Sequence, residues 1–241
     1  MSKASIAIVW FREDLRLHDN PALAYACAHY DQVIPVYLHA EKDGGAWAPG
    51  GASRWWLHHS LASLRQSLRD IGGDLVIRQG ASARQLLEVL IEEQSVDALL
   101  WNRLYTPAVV ERDRGLKQAF KARGLEVRSF RAGLLYEPHE IAKDDGTPYK
   151  VFTAFWKRCM REGVQRVEVD APISIETPVG VSSDSLESLA LLPRIQWDGG
   201  FYDYWQPDED AAQNMLTSFL EDALSHYDHD RDVPAVSGTS R

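Results

Sequence analysis

IVWFREDLRLHDNPAL, residues 8 to 23, is the passage on which the fold turns. A short apolar run, Ser5 to Trp10, gives way at once to Arg12, Glu13, Asp14, Arg16, His18 and Asp19. Asn20-Pro21 then supplies a helix cap followed by proline in the first helical position, where its missing N–H costs nothing. A buried parallel strand therefore ends in a charged loop that feeds a helix. In open α/β sheets ligands and partner domains gather at such places, because strand ends and helix N-termini converge there.

Outward from this passage the same alternation repeats. Gln32–Leu38, Asp74–Arg78, Asp97–Trp101 and Glu126–Phe130 read as further strands, giving five with Ser5–Trp10. Between them, Ser53 to Ile71 places Leu57, Leu61, Leu64, Leu68 and Ile71 at helical spacing, and Gly72-Gly73 ends the run. Ser82 to Gln94 puts Leu86, Leu87, Leu90 and Ile91 on one side. Pro107 opens a helix to about Arg123 with Val109, Val110, Leu116 and Phe120 inward, closed by Gly124. Strands alternating with helices at this spacing predict a Rossmann-like, doubly wound, five-stranded parallel sheet over residues 1–135.

The pattern changes after Phe130. An extended piece, Leu134 to Pro138, is followed by the turn-like DDGTP and the aromatic segment YKVFTAFWK, residues 149 to 157. Residues 136–206 carry several prolines, many Ser and Asp, and no sustained period beyond Arg161, so they read as a long surface connector. From Pro207 a helix resumes with Asp208-Glu209-Asp210 in its first turn and Met215, Leu216, Phe219, Leu220, Ala223 and Leu224 as an apolar stripe, ending near Tyr227. That stripe either packs back on the α/β unit or belongs with a second domain, of which residues 207–241 would be the start.

Composition narrows the function classes. No apolar run approaches the roughly 20 residues a membrane helix needs, and MSKASIAIVW lacks the pattern of a signal peptide. Cys27 and Cys159 are too few for a disulfide framework or a zinc site, so a cytoplasmic location and no metal are expected; a monomer is expected separately. The net charge of −9 divides unevenly: residues 1–161 hold 22 basic and 19 acidic side chains, residues 162–241 hold 4 and 16. The basic first part leaves nucleic acid open without marking a DNA-reading stripe. Gly44-Gly45 and Gly50-Gly51 form neither a GxGxxG fingerprint nor a P-loop. His58-His59 reads as the rim of a core, and His226 with His229 lacks a third metal ligand. The eight tryptophans, Trp47 among them, read as packing residues.

Four segments in order, WFREDLRLHDNPAL, WNRLYTPAVVERD, YKVFTAFWK and YDHDRDVPAVSGTSR, together resemble the DNA photolyase/cryptochrome family, most closely its bacterial class I cyclobutane pyrimidine dimer photolyases. The resemblance implies a Rossmann-like domain that contributes to an antenna-chromophore site, then a connector, then an all-helical domain holding FAD and the DNA face. It implies light-driven repair of pyrimidine dimers by electron transfer from reduced FAD. By the same resemblance Tyr227, Thr239 and Ser240 face the phosphate side of FAD, and Arg231 lies near DNA or the domain interface. The 241 residues are expected to hold no catalytic residue, to bind FAD negligibly and to repair nothing by themselves, with damaged DNA engaged through the helical domain. Arg12, Asp14, Asn102 and Tyr105, at strand ends, are the candidates for the antenna cleft. Folate-binding relatives commonly carry glutamate where this chain has Thr106, whose single hydroxyl cannot match paired carboxylate bonds to a pterin. A deazaflavin, a flavin or no antenna stay open. The rival readings are a cryptochrome-like blue-light receptor and a free-standing α/β ligand-binding domain.

Overall fold

A computed structural model describes residues 4–40, 43 and 48–236. Its core is a five-stranded, all-parallel sheet in the order β3-β2-β1-β4-β5, formed by β1 (Ile6–Phe11), β2 (Gln32–Ala40), β3 (Val76–Gly80), β4 (Ala98–Asn102) and β5 (Glu126–Phe130). The two-residue period of β1 sorts its side chains cleanly. Ala7, Val9 and Phe11 enter one core with Leu23, Leu61, Leu64 and Leu68, while Ile6, Ile8 and Trp10 enter the other with Leu87, Leu90, Leu116 and Phe120. Helices α1 (Pro21–His29) and α2 (Gly51–Asp70) thus cover one face, and α3 (Ala83–Gln94) and α4 (Pro107–Ala122) the other. The doubly wound expectation holds. Strand order reverses between β1 and β4, so the crevice that such sheets offer ligands lies beyond Phe11 and Asn102.

Boundaries shift where local chemistry decides. β3 starts at Val76 rather than Asp74, because pairing with β2 begins at Val36 and Val76 while Asp74 accepts hydrogen bonds from Arg65 and Arg69. The segment YKVFTAFWK contributes most of a helix, α5 (Phe152–Glu162). The stripe after Pro207 does not form one continuous helix: α6 (Glu209–Glu221), capped by Asp208, breaks at Asp222 and is followed by a 3-10 turn and the short α7 (Tyr227–Asp230). Trp47, Gly44, Gly45, Thr239 and Ser240 lie outside the described residues.

Residues 163–208 are held more closely than a surface connector would be. Ile175, Leu186, Leu189 and Leu191 are buried in the core under α1 and α2. Asp184 N–H donates to the Ile77 carbonyl, Ser183 Oγ accepts from Ile77 N–H, and Asp184 Oδ2 accepts from Gln79 N–H. The open edge of β3 is thereby paired, which removes a template for association with other strands. At the other end of this contact, Gly72 takes φ +96° and a Cβ on Gly73 would lie 2.5 Å from Ile175 Cγ2. Gly73→Ala is expected to push Ile175 out of the core at a cost of about 1–2 kcal/mol. Limited proteolysis should then cut near Ile175 sooner than in the parent chain.

Cys27, half-buried on α1, has its thiol pushed up to about 11, by burial first, with a smaller opposing backbone hydrogen bond. At pH 8 only about one molecule in a thousand would carry the thiolate. Native-state alkylation followed by mass spectrometry should leave Cys27 unmodified over a period that labels a small-molecule thiol completely.

Candidate active-site crevice

The crevice is built by a relay of amides and carboxylates. Asn20 caps α1, its Oδ1 accepting from Leu23 N–H at 3.1 Å. Asn102, buried at the end of β4, reaches across: its Oδ1 accepts from Ala22 N–H at 3.1 Å, and its Nδ2 donates to Asn20 Oδ1 at 2.7 Å and to Asp14 Oδ2 at 2.6 Å. Asp14 Oδ1 in turn accepts from Arg12 N–H at 2.8 Å. The Arg12 guanidinium is buried, donates through Nη2 to the Asn102 carbonyl, and pairs through Nη1 with Asp113 Oδ2 at 2.8 Å. Burial lowers the Arg12 pKa, and the opposing attraction of Asp113 offsets only part of that effect. Arg12 Nε finds no hydrogen-bond partner among the described residues.

Farther along the loop, Asp19 adopts φ 49°, a left-handed conformation that costs a non-glycine residue energy. It is held there by Arg166, which pairs with its carboxylate, and by the Val169 carbonyl, which accepts from Asp19 N–H at 2.7 Å. Glu209, in the first turn of α6, accepts from Leu17 N–H and His18 N–H at 2.7 and 2.8 Å. Beside these contacts lies an open cleft of about 800 Å³ whose walls include Arg12, Arg16, His18, Trp56, Glu209 and Leu216. A second cavity, of about 460 Å³, lies between α2 and the residues before α6, walled by Trp55, His59 and Tyr202. Desolvation first lowers the pKa of His58 and of His59, against the opposing charges of Glu187 and Asp198.

Of the four antenna-cleft candidates, the structure brings together Arg12, Asp14 and Asn102, and only Arg12 lines the larger cavity. Tyr105 belongs to another cluster: its hydroxyl and the Arg103 guanidinium both donate to Glu137 Oε1, at 2.9 and 2.7 Å. Burial first and the Glu137 hydrogen bond second raise the Tyr105 pKa. Thr106 is exposed at the start of α4. Tyr227 packs edge-on against Phe219, ring centres 5.8 Å apart, with Arg231 over its face. Asp113 and Glu137, both buried, were not singled out from the sequence. Asp113 carried a usable signal, an acid three positions before Leu116 and seven before Phe120 on the inward face of α4. Among the described residues, no group of three or more His, Cys, Asp or Glu could hold a metal ion, and no helix is long and apolar enough to cross a membrane.

Comparison with known proteins gives these features a context. The family description "DNA photolyase" matches residues 7–173. A deoxyribodipyrimidine photo-lyase of Agrobacterium fabrum is 43% identical over 240 residues, covering 99% of this chain and 49% of the relative. Cryptochrome-2 of Arabidopsis thaliana is 34% identical over 91% of this chain and 37% of its own length. Among solved structures, a bacterial class III photolyase from Agrobacterium tumefaciens superposes with a TM-score of 0.92 at 42% identity, covering all of this chain and 49% of that one. The expectation of a class I relationship is corrected accordingly, to class III. The chain spans about half the length of the photolyases it matches.

Proposed function

The chain belongs to the DNA photolyase family, and from that premise we propose that it forms the α/β half of a light-driven deoxyribodipyrimidine photo-lyase. The observation that carries the reading is 42% identity to a class III photolyase along the entire chain. Two uncovered apolar faces support the two-domain reading. Phe152, Trp156 and Met160 on α5 and Leu216 and Leu220 on α6 are all exposed, as on a unit that packs against another domain. Residues 207–241 would open that domain, which would engage DNA containing pyrimidine dimers.

FAD would meet this half at Tyr227, whose ring contacts Phe219 and Arg231, while Arg231 would lie near DNA or the domain interface. Thr239 and Ser240 complete that proposal from outside the described residues. Reduced flavin supplies the electron that splits a dimer. An antenna chromophore would occupy the 800 Å³ cavity, where Arg12 Nε–H offers a buried donor without an acceptor and Trp56 an aromatic wall. Asp14 and Asn102 would hold Arg12 and α1 in position, with Tyr105 at the neighbouring loop. Thr106, exposed at the start of α4 and outside that cavity, offers no carboxylate to a pterin, so a deazaflavin, a flavin or no antenna is favoured over folate. Reconstitution with each chromophore, read by its absorption band, identifies the one retained.

The second reading, a blue-light receptor, draws on the 34% identity to Arabidopsis cryptochrome-2. The complete gene encoding this chain should rescue a repair-deficient host from ultraviolet damage under blue light and not in darkness. Flavin photoreduction without any loss of dimers would favour the receptor.

A further inference from the structure

On the sheet face covered by α3 and α4, a cavity of about 240 Å³ is walled by Trp101, Arg103, Leu104, Val110, Lys117 and Ser129. Its side chains are rich in donors and poor in free acceptors. Ser129 Oγ accepts from Lys117 Nζ at 2.6 Å and from Arg103 Nη1 at 3.2 Å. Both its lone pairs are then in use, which leaves the hydroxyl proton to be donated, and no acceptor for it is found among the described residues. Trp101 is fully buried, and its indole N–H likewise has no acceptor. The Lys117 ammonium stands 5.7 Å from the centre of the Trp101 ring and makes no ion pair with a described carboxylate.

Asp113, the one carboxylate on the wall, is spent. Its Oδ2 pairs with Arg12 and its Oδ1 with Arg112. Arg103 commits Nε and Nη2 to Glu137, and Arg114 pairs with Glu111 at the rim. Lys117 is thus a half-buried cation without an ion pair of its own, the Asp113 charge nearby being already paired with Arg12 and Arg112. Desolvation first, and the Arg103 charge second, lower its pKa, as expected for a cation in such surroundings.

The geometry points to a small-oxyanion site beside the buried Trp101 ring, in which a phosphate or carboxylate group is received by Lys117 Nζ and the Ser129 hydroxyl. Such a ligand supplies the Ser129 hydroxyl with an acceptor and Lys117 with an ion pair, and charge-assisted bonds to it are the strong kind. A lysine placed only to lay its stem and charge on Trp101 would produce no saturable response to anions.

The test is a titration of the ¹⁵N-labelled chain with inorganic phosphate, and separately with acetate, at ionic strength held constant with chloride. The readout is the indole N–H resonance of Trp101, assigned by its loss in Trp101→Phe. A saturable shift of that resonance with either anion is the expected result, and whichever anion saturates first assigns the ligand class. Lys117→Met should weaken binding about tenfold or more, Ser129→Ala should weaken it less, and Lys117→Arg should retain part of it. The other indole resonances report whether each variant is folded, and Ser129→Ala carries the test should Lys117→Met unfold. No saturable shift into the tens of millimolar, or undiminished affinity in a folded Lys117→Met or Ser129→Ala, would overturn the site.

Discussion

Replacing Asn102 with leucine is expected to cost the chain about 3–5 kcal/mol of stability, read as a lower urea midpoint at unchanged slope. The size follows from what the amide satisfies. Ala22 N–H, Asn20 Oδ1 and Asp14 Oδ2 all bond to it inside the crevice, and leucine would leave Ala22 N–H without an acceptor and Asn20 Oδ1 and Asp14 Oδ2 each short of a donor. Asn102→Asp keeps the shape and the acceptor for Ala22 but turns the donor into an acceptor opposite Asn20 Oδ1 and the Asp14 carboxylate. Repulsion from Asp14 should raise the folded-state pKa of the new carboxyl above its unfolded value. The penalty relative to the parent chain should therefore be small below the unfolded pKa and grow as pH rises through the folded one. Parallel urea titrations of parent and variant at pH 4 and pH 7 would check that sign. A penalty independent of pH would mean that the amide matters for its volume alone.

The sequence made the sheet legible because its signals are local. Six consecutive apolar residues in β1 and leucines at three- and four-residue spacing in α2 need no distant partner to be recognised. The connector withheld its attachment for the opposite reason. Ile175, Leu186, Leu189 and Leu191 enter the core without a sustained helical or strand period, and the segment's contacts with β3 and with the turn after α2 lie about a hundred positions away. Helix α5 stood in between. Phe152, Phe155, Trp156 and Cys159 share a helical face, yet the run of aromatic residues disguised the period. At the crevice, Arg12, Asp14 and Asn102 were legible as strand-end polar residues. Their joint role with Asn20 and Asp113 was not, because it depends on strand order bringing β1 beside β4.

The same dependence makes Arg12 and Asp113, 101 positions apart, the second sensitive point. Asp113→Ala is expected to cost about 3–5 kcal/mol, because it leaves a guanidinium buried between β1 and α4 without its main counter-charge. Arg112, which pairs with the other Asp113 oxygen and lies over the Trp10 ring, is half-buried and would turn more freely to water. Arg12→Met should be costly as well, since it strands Asp113 with Arg112 alone and leaves the Asn102 carbonyl without the Nη2 donor. The double variant Arg12→Met, Asp113→Leu removes both charges from the interior. Its cost should be clearly less than the sum of the two single losses, because most of each is the penalty of an unpaired charge rather than the worth of the bond. A double-mutant cycle from urea midpoints measures that difference directly. Strict additivity would show that water reaches Arg12 in solution, and that the crevice is held by the Asn102 relay alone.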